Sequence, residues 1–202
     1  MRLGLFGGSF DPVHYGHLRL ATECCAQAQL DEVWLLPAAV QPHKPGGPQA
    51  SAFDRLRMLE LAVADIPALS VSRLEIDRGG VSYTVDTLRS IHAAHLQSEL
   101  YQLMGADTLR DLPNWREPAE VCRLATPLVV HRAGEPRPDF DVLAPLVSAE
   151  RLAQIRALEV EMPAVDISST EIRERVARGE SIEGMTTREV VEFISKHQLY
   201  KT

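Results

Sequence analysis

Two histidines stand three residues apart in a glycine-containing segment near the start of the sequence. His14 and His17 belong to the run GGSFDPVHYGH at residues 7–17. Side chains at this spacing share one face of a helix, so both imidazoles can face one ligand if a helix begins here. Imidazole donors at that point would stabilise the charge that develops on phosphate oxygens during phosphoryl or nucleotidyl transfer, without a covalent step. The alternative, that each histidine only caps the helix or fills a gap, is less favoured by a pair in one loop.

The same run has the features of a phosphate-binding loop. Gly7 and Gly8 follow an apolar, strand-like stretch and would let a bound group approach the main chain closely, while Ser9 adds a hydroxyl. Gly16 removes the side chain that would block a ligand between the two histidines, and the start of a helix offers N–H donors and a positive dipole end. No Gly-Lys-Ser/Thr and no G-x-G-x-x-G is present, which excludes a P-loop and argues against a dinucleotide dehydrogenase.

A second polar cluster lies far along the chain, in the run ISSTEIR at residues 167–173. Ser169 and Thr170 stand at a predicted helix start, where they can supply anion donors, and Arg173 follows one turn later with a guanidinium for the same place. Lys44, in a loop rich in proline and glycine, is a point charge suited to phosphate. Taken alone, the serine run is equally an ordinary helix cap and Lys44 a solvated surface residue.

The elements that must position these residues follow from the apolar pattern. Apolar, β-branched runs alternate with segments of helical period, which predicts βαβ units and an α/β, Rossmann-like fold with a mostly parallel sheet and helices on both faces. The predicted strands cover residues 1–6, 32–36, 69–76, 100–104, 127–131 and 157–162. The predicted helices cover residues 16–29, 83–96, 118–124, 168–178 and 187–197, with another beginning at Ser51 and a short helical stretch after Gly105.

Such a sheet also predicts where a ligand binds. Ligands of open α/β sheets lie beyond the carboxyl ends of the strands, so the loops after Phe6, Leu36, Met104 and His131 should line the site. Residues 135–152, rich in prolines and acids, receive neither an element nor a functional role from their pattern.

Composition limits the class of protein. The 202 residues, 45% hydrophobic and 24% charged, predict a single globular domain over residues 1–202. A net charge of −7 argues against a general binder of nucleic acid or of anionic membranes. No apolar run approaches the ~20 residues of a membrane span. Phosphates would therefore be bound by a few concentrated positive groups.

Cysteine usage points to a reducing compartment. The three cysteines, of which Cys24 and Cys25 are adjacent, form no disulfide framework, so a cytoplasmic location is expected. A zinc site shared with the two histidines is not expected, because these cysteines lie two helical turns away, and Cys25 falls on the predicted apolar face. No resident metal is predicted.

The motifs resemble those of a known superfamily. GGSFDPVHYGH resembles the signature of the H-x-G-H nucleotidylyltransferases, and ISSTEIR resembles their I-S-S-T-x-I-R motif. Segments between them resemble the bacterial nicotinate-nucleotide adenylyltransferase family across nearly the whole chain: Leu36-Pro37 with Pro42-His43-Lys44, residues 82–88, residues 105–109 with 112–115, and residues 193–200. The resemblance implies transfer of AMP from ATP to nicotinate mononucleotide, with release of pyrophosphate, in NAD biosynthesis. Mg²⁺ would arrive on the triphosphate.

The resemblance also distributes roles along the chain. It implies nicotinate recognition around Thr84 and the backbone of Trp115 and Arg116, with Trp115 stacking on the pyridine ring, and ribose recognition by Asp107. Arg132, just past a predicted strand end, adds charge at the same rim. Trp115 could instead be a core residue and Thr84 a helix cap. The implied catalytic residues are His14, His17 and Arg173, with Gly7, Gly8, Ser9, Gly16, Lys44, Ser169 and Thr170 binding ATP.

Two departures from the family pattern and several alternatives stay open. Arg116 stands where an aromatic residue is frequent, and Met185-Thr186 replaces a Val-Pro pair, a change expected to affect only packing.

The acceptor could instead be nicotinamide mononucleotide or phosphopantetheine. The chain could also be a nucleotide sensor without turnover. Homo-oligomerisation is compatible with the sequence, which does not address it.

Overall fold

The fold is built on a parallel sheet. A computed structural model describes residues 1–42 and 47–201. Within those ranges, six strands run in the order β3-β2-β1-β4-β5-β6, with every neighbouring pair parallel. The strands are β1 (Arg2–Gly8), β2 (Glu32–Pro37), β3 (Leu69–Val71), β4 (Glu99–Gly105), β5 (Thr126–Arg132) and β6 (Val160–Met162). The α/β, Rossmann-like prediction is confirmed.

Helices cover both faces of this sheet. They are α1 (Tyr15–Gln27), α2 (Ala52–Val63), α3 (Leu74–Arg78), α4 (Thr84–Ala94), α5 (Ala106–Asp111), α6 (Pro118–Leu124), α7 (Ala149–Arg156), α8 (Ser169–Ala177) and α9 (Arg188–Lys196). Because successive strand residues point to opposite faces, Leu35 joins the apolar cluster formed with α1, α2 and α9, whereas Leu36 joins the cluster formed with α4 and α6. Every helix among the described residues is too short or too polar to cross a membrane.

Three predicted strands differ from the structure by two residues or more at one end. One is β6, which begins at Val160 rather than at residue 157, because α7 extends to Arg156 and Ala157 caps it. Strand β1 continues to Gly8, whose partner in β2 is Pro37, so both glycines belong to the strand end rather than to the loop after it. The strand predicted over residues 69–76 ends at Val71. Residues 74–76 of the predicted strand form the start of α3. The prediction is wrong there because the periodicity of a short apolar run does not distinguish a strand from a buried helix.

The remaining differences concern the core. Helix α1 buries Cys24 completely, while Cys25, the predicted core residue, is only partly buried. Residues 135–152 contribute Phe140 and Leu143 to a third apolar cluster, so this segment is largely structural.

Candidate active site

The carboxyl ends of four strands open onto one cavity of about 600 Å³. The loops predicted to line the site all reach it, through Ser9 after β1, Ala38 after β2, Asp107 after β4 and Arg132 at the end of β5. A cavity of this volume is in the range of small-molecule sites. The four loops expected to line a site therefore border a single cavity.

The cavity brings together the candidate residues from both halves of the chain. Fourteen of the residues singled out in the sequence line it: Gly7, Gly8, Ser9, His14, Gly16, His17, Thr84, Asp107, Trp115, Arg116, Arg132, Ser169, Thr170 and Arg173. The remaining candidate, Lys44, lies outside the described residues.

The two histidines are fixed to each other through the main chain. His14 is the N-cap of α1: its Nδ1 accepts the Gly16 N–H at 3.1 Å, and its own N–H donates to Nδ1 of His17 at 3.3 Å. The ring centroids are 3.8 Å apart. Each Nδ1 accepts a hydrogen bond from a main-chain N–H, so in a neutral ring the imidazole proton lies on Nε2. Both imidazoles are thereby set as Nε2–H donors.

The charge state of His14 follows from its surroundings. Burial lowers the pKa of His14 to about 4, and the positive charge of Arg132 acts in the same direction. At neutral pH the ring is therefore uncharged, and it offers a hydrogen bond rather than a full charge to an anion.

Gly16 is required by the His14 ring. A Cβ at this position would lie 2.9 Å from Cε1 and 3.0 Å from Nδ1 of His14. The sequence predicts that glycine clears space for a ligand, whereas the structure shows that it clears space for the imidazole. A Cβ on Gly7, by contrast, would meet nothing within 4 Å, so the main chain there borders open space.

The loop between β1 and α1, residues 9–14, is held by donors from distant parts of the chain. Three successive carbonyls accept hydrogen bonds: that of Asp11 from Arg173 Nη1 at 2.7 Å, that of Pro12 from Ser169 at 2.8 Å, and that of Val13 from Thr186 at 2.8 Å. The expectation that Thr186 affects only packing is wrong, because its buried hydroxyl fixes residues 9–14, the phosphate loop.

These bonds narrow how α8 can contact an anion. The Ser169 hydroxyl donates its hydrogen bond to the Pro12 carbonyl and is not available to an anion. An anion would instead be bound by the first-turn amides of α8, which have no acceptor within the helix. Arg173 also donates to the Thr170 hydroxyl at 3.2 Å. Its Nε is buried and has no hydrogen-bond partner among the described residues, and each terminal nitrogen keeps a second N–H, so guanidinium donors remain for a ligand.

Sequence reasoning missed two residues that support this arrangement. Phe10 is fully buried with φ of 48°, and its ring packs edge-on at 5.0 Å from that of His17. Arg55 of α2 is 1% exposed and donates to the carbonyls of Ser9 and Ala38, each at 2.7 Å. Arg55 could have been identified from its position, because it is a charged residue on the apolar face of an amphipathic helix. Nothing in the apolar pattern marks Phe10.

The other end of the cavity is formed around the start of α4. Thr84 is the first helical residue and does not cap it; the N-cap is Tyr83, whose side chain makes no capping bond. The Arg116 guanidinium lies 4.8 Å over the Tyr83 ring, and its Nη1 is 3.4 Å from Asp86. Trp115 packs against two apolar clusters and also lines the cavity, so it is both a core residue and part of the cavity wall.

Carboxylates border the cavity at its wall and rim. Glu75, which the sequence did not single out, is 6% exposed and accepts a hydrogen bond from the Thr87 hydroxyl at 2.7 Å. Asp107 is highly exposed and pairs with Arg110 at 3.4 Å, while Arg132 pairs with Glu135 at 3.5 Å. Asp107 and Arg132 are thus rim residues, reachable by a bound ligand.

Comparisons with known proteins agree with the geometry. The cytidylyltransferase-like family model matches residues 5–175. Curated relatives named "Probable nicotinate-nucleotide adenylyltransferase" are 45% identical in Roseiflexus sp., over 98% of both chains, and 43% identical in Thermus thermophilus, over 100% of both. The solved nicotinic acid mononucleotide adenylyltransferase of Plasmodium falciparum, complexed with NaAD, shares the fold at a TM-score of 0.74 and 17% identity, covering 98% of this chain and 97% of that one. The chain therefore belongs to the cytidylyltransferase-like family and, within it, to the nicotinate-nucleotide adenylyltransferases.

Proposed function

We propose that this chain joins ATP and nicotinate mononucleotide to form nicotinate adenine dinucleotide and pyrophosphate. The observation that carries the proposal is the pair of imidazoles at the start of α1, both set as Nε2–H donors at the carboxyl end of β1. Donors held in place before the reaction stabilise developing phosphate charge without reorganising. The name carried by relatives at 40–45% identity supports the same reaction.

The proposed chemistry requires no nucleophile from the protein. An oxygen of the acceptor phosphate attacks the α-phosphorus of ATP in line, forming the new phosphoanhydride bond. The bond between the α-phosphorus and the bridging oxygen to the β-phosphate breaks, and pyrophosphate leaves with its electrons. Since a phosphate monoester is already an anion at neutral pH, no general base is needed, and catalysis depends on positioning and charge stabilisation.

The triphosphate would lie against the phosphate loop and the start of α8. His14 and His17 would donate to its oxygens, and Arg173 would contribute a permanent positive charge. Gly7, Gly8, Ser9 and Gly16 would form the surrounding main chain, with first-turn amides of Ser169 and Thr170 as further donors. Lys44 is proposed as an additional phosphate contact from its sequence position alone.

Mg²⁺ would enter as part of the MgATP substrate. The phosphate loop presents N–H and imidazole donors, and the carboxylate of Asp11 is already engaged by main-chain N–H groups. Mg²⁺ prefers phosphate oxygens and water to a cage made by the protein, so the triphosphate would hold it.

The acceptor would bind at the start of α4. The first-turn amides there receive no side-chain cap, and Arg116 lies over Tyr83 beside them. Such donors suit the nicotinate carboxylate, whereas the amide of nicotinamide would place its own N–H₂ against them. Trp115 would stack on the pyridine ring, and Asp107 would accept from ribose hydroxyls.

We also propose that residues 1–202 act as one catalytic unit in the cytoplasm. Val190 and Ile194 of α9, beyond the residues matched by the family model, join the same apolar cluster as α1 and α2. The three cysteines are free, which suits a reducing compartment.

Pyrophosphate release with MgATP tests the proposed reaction. The purified chain is offered nicotinate mononucleotide, nicotinamide mononucleotide and phosphopantetheine in parallel. Release with the first supports both the reaction and the acceptor site. Release with the amide alone would keep the chemistry but reject the acceptor site around Thr84. A folded protein that binds MgATP but releases no pyrophosphate with any acceptor would be a nucleotide sensor.

A further inference from the structure

The Asp11 carboxylate joins three separate segments behind the cavity. Its Oδ2 accepts the Gln49 N–H at 2.7 Å, and its Oδ1 accepts the Ala50 N–H at 3.1 Å and the Tyr200 hydroxyl at 2.7 Å. Asp11 is 3% exposed and does not line the cavity. Its side chain therefore holds the phosphate loop in place without contacting a ligand.

The backbone near Tyr200 is shaped to deliver its hydroxyl to Asp11. After α9 ends, Gln198 and Tyr200 adopt left-handed φ angles of 53° and 64°. These angles are unfavourable for residues with a Cβ, so surrounding contacts must stabilise them. The Tyr200 ring packs on the apolar cluster of α1, α2 and α9. Burial and the neighbouring Asp11 carboxylate raise the pKa of Tyr200, so its hydroxyl keeps the proton it donates.

A buried cation completes the same group. Arg55 binds the carbonyls of Ser9, in the phosphate loop, and Ala38, just after β2. Ala38 and the Gln49-Ala50 pair stand on either side of the segment that carries Lys44. The phosphate loop is thus tied to the β2 side of the cavity by Arg55 at one point and by Asp11 at another.

We propose that Tyr200 is a positioning residue for ATP, acting through Asp11 to fix the phosphate loop against Gln49 and Ala50. The role rests on the proposed function, since it assigns the triphosphate to that loop. Loss of the hydroxyl leaves one Asp11 lone pair without its donor, and the loop that carries both histidines loses one of its supports. The acceptor end around Thr84 is built from other elements and should be unaffected.

Tyr200→Phe tests this role with little change in volume. We expect the Kd for MgATP, measured by calorimetry without an acceptor, to rise about tenfold. In turnover assays the KM for ATP should rise in parallel, while the KM for nicotinate mononucleotide stays within about twofold. The binding measurement needs no turnover, so it reports on Tyr200 even if the proposed reaction fails.

Tyr101→Phe is the matched control. Tyr101 also donates its hydroxyl to a carboxylate, that of Glu99 at 2.9 Å, but at the opposite end of the sheet. This variant should bind MgATP as the unmodified chain does. An unchanged Kd for MgATP in Tyr200→Phe would overturn the proposal. It would also be overturned if Tyr200→Phe and Tyr101→Phe weakened the binding of both substrates to the same extent.

Asp11→Asn shows whether the effect passes through the carboxylate. In this background, Tyr200→Phe should change the Kd for MgATP much less than it does in the unmodified chain, because the pair acts as a unit. Fully additive effects on Kd would overturn a role through Asp11.

Discussion

At the scale of single residues, the main-chain bonds of His14 and His17 decide what the site can do. A neutral imidazole with its proton on Nε2 donates one hydrogen bond in one direction, and the Nδ1 contacts fix that direction. Arg173 then supplies the permanent positive charge. The imidazoles thus provide hydrogen bonds of fixed direction, and Arg173 provides the long-range attraction for an anion.

Removal of one imidazole should be costly to turnover. His17→Ala is expected to lower kcat by about 10²–10³-fold, the usual effect of losing one charge-stabilising donor, equivalent to about 2.7–4 kcal/mol. His95→Ala is the control, since that ring contacts Trp34 and does not line the cavity. A folded His17→Ala protein with kcat within a few-fold of the unmodified chain would contradict the assignment.

The pKa of His14 predicts a specific pH dependence. In the folded chain its pKa is about 4, below the ordinary value of 6.5 that applies when unfolded. As pH falls between these values, the unfolded chain takes up the proton first, so the free energy of unfolding decreases from pH 6.5 towards pH 4. Above pH 6.5 this contribution is constant.

NMR titration of the His14 ring should give a midpoint near pH 4. Arg132→Gln should raise that midpoint, because it removes the second cause of the shift. Urea unfolding at pH 7 and pH 4.5 should show a larger loss of stability for the unmodified chain than for His14→Asn. Equal losses in the two proteins would contradict a depressed pKa.

At the scale of elements, the start of α1 is a helix cap that also borders the cavity. An imidazole takes the place of the usual short polar side chain at the N-cap, and the next glycine makes room for it. The price of this arrangement is that Gly16 tolerates no side chain.

Gly16→Ala should therefore displace the His14 ring. Its new Cβ would approach two ring atoms at 3.0 Å or less, closer than real contacts allow. We expect kcat to fall by at least about tenfold, although alanine favours helix more than glycine does. Arg19→Ala is the comparison, because that exposed residue of the same helix does not line the cavity. Full activity of Gly16→Ala would refute the steric argument.

Elements with strong local signals could be predicted from the sequence. Helix α6 begins at Pro118 and ends at Leu124 as its proline and apolar spacing indicate, and Ser51 caps α2 through the Asp54 N–H. The turn from β3 into α3 could not be predicted from the apolar run, and neither could the buried contact between Glu75 and Thr87. That contact joins residues in different elements and leaves no periodic trace.

The site shows the same division. Many residues that line the cavity stand in motifs and are predicted, whereas Glu75 and the residues that support the phosphate loop from outside the motifs are not. Arg55 makes two hydrogen bonds, to the carbonyls of Ser9 and Ala38, and Tyr200 makes one to Asp11. Their neighbours in sequence give no indication of these partners.

At the scale of the whole molecule, the strand order places the cavity where the chain changes direction. From β1 the chain moves outward to β2 and β3, then returns to place β4 on the other side of β1. Loops from both halves therefore diverge at the end of β1 and leave a crevice there. The last part of the described chain then closes over the phosphate loop, through α8 and Thr186.

Thr186→Val tests this closure. The substitution keeps the shape but leaves the Val13 carbonyl without its donor, which should lower the free energy of unfolding by about 1–3 kcal/mol and raise the KM for ATP. Thr22→Val is the control, because that hydroxyl donates only to carbonyls of its own helix. Identical kinetics for both variants would show that Thr186 serves stability alone.

The long-range bonds to the phosphate loop set an order of events during protein synthesis. Residues 11–13 leave the ribosome well before their donors, which follow 157 to 173 residues later. At elongation rates of about 5–20 residues per second, the loop waits roughly 8–35 s for those donors. A nascent chain therefore completes these bonds to the phosphate loop only after α8 and Thr186 have emerged.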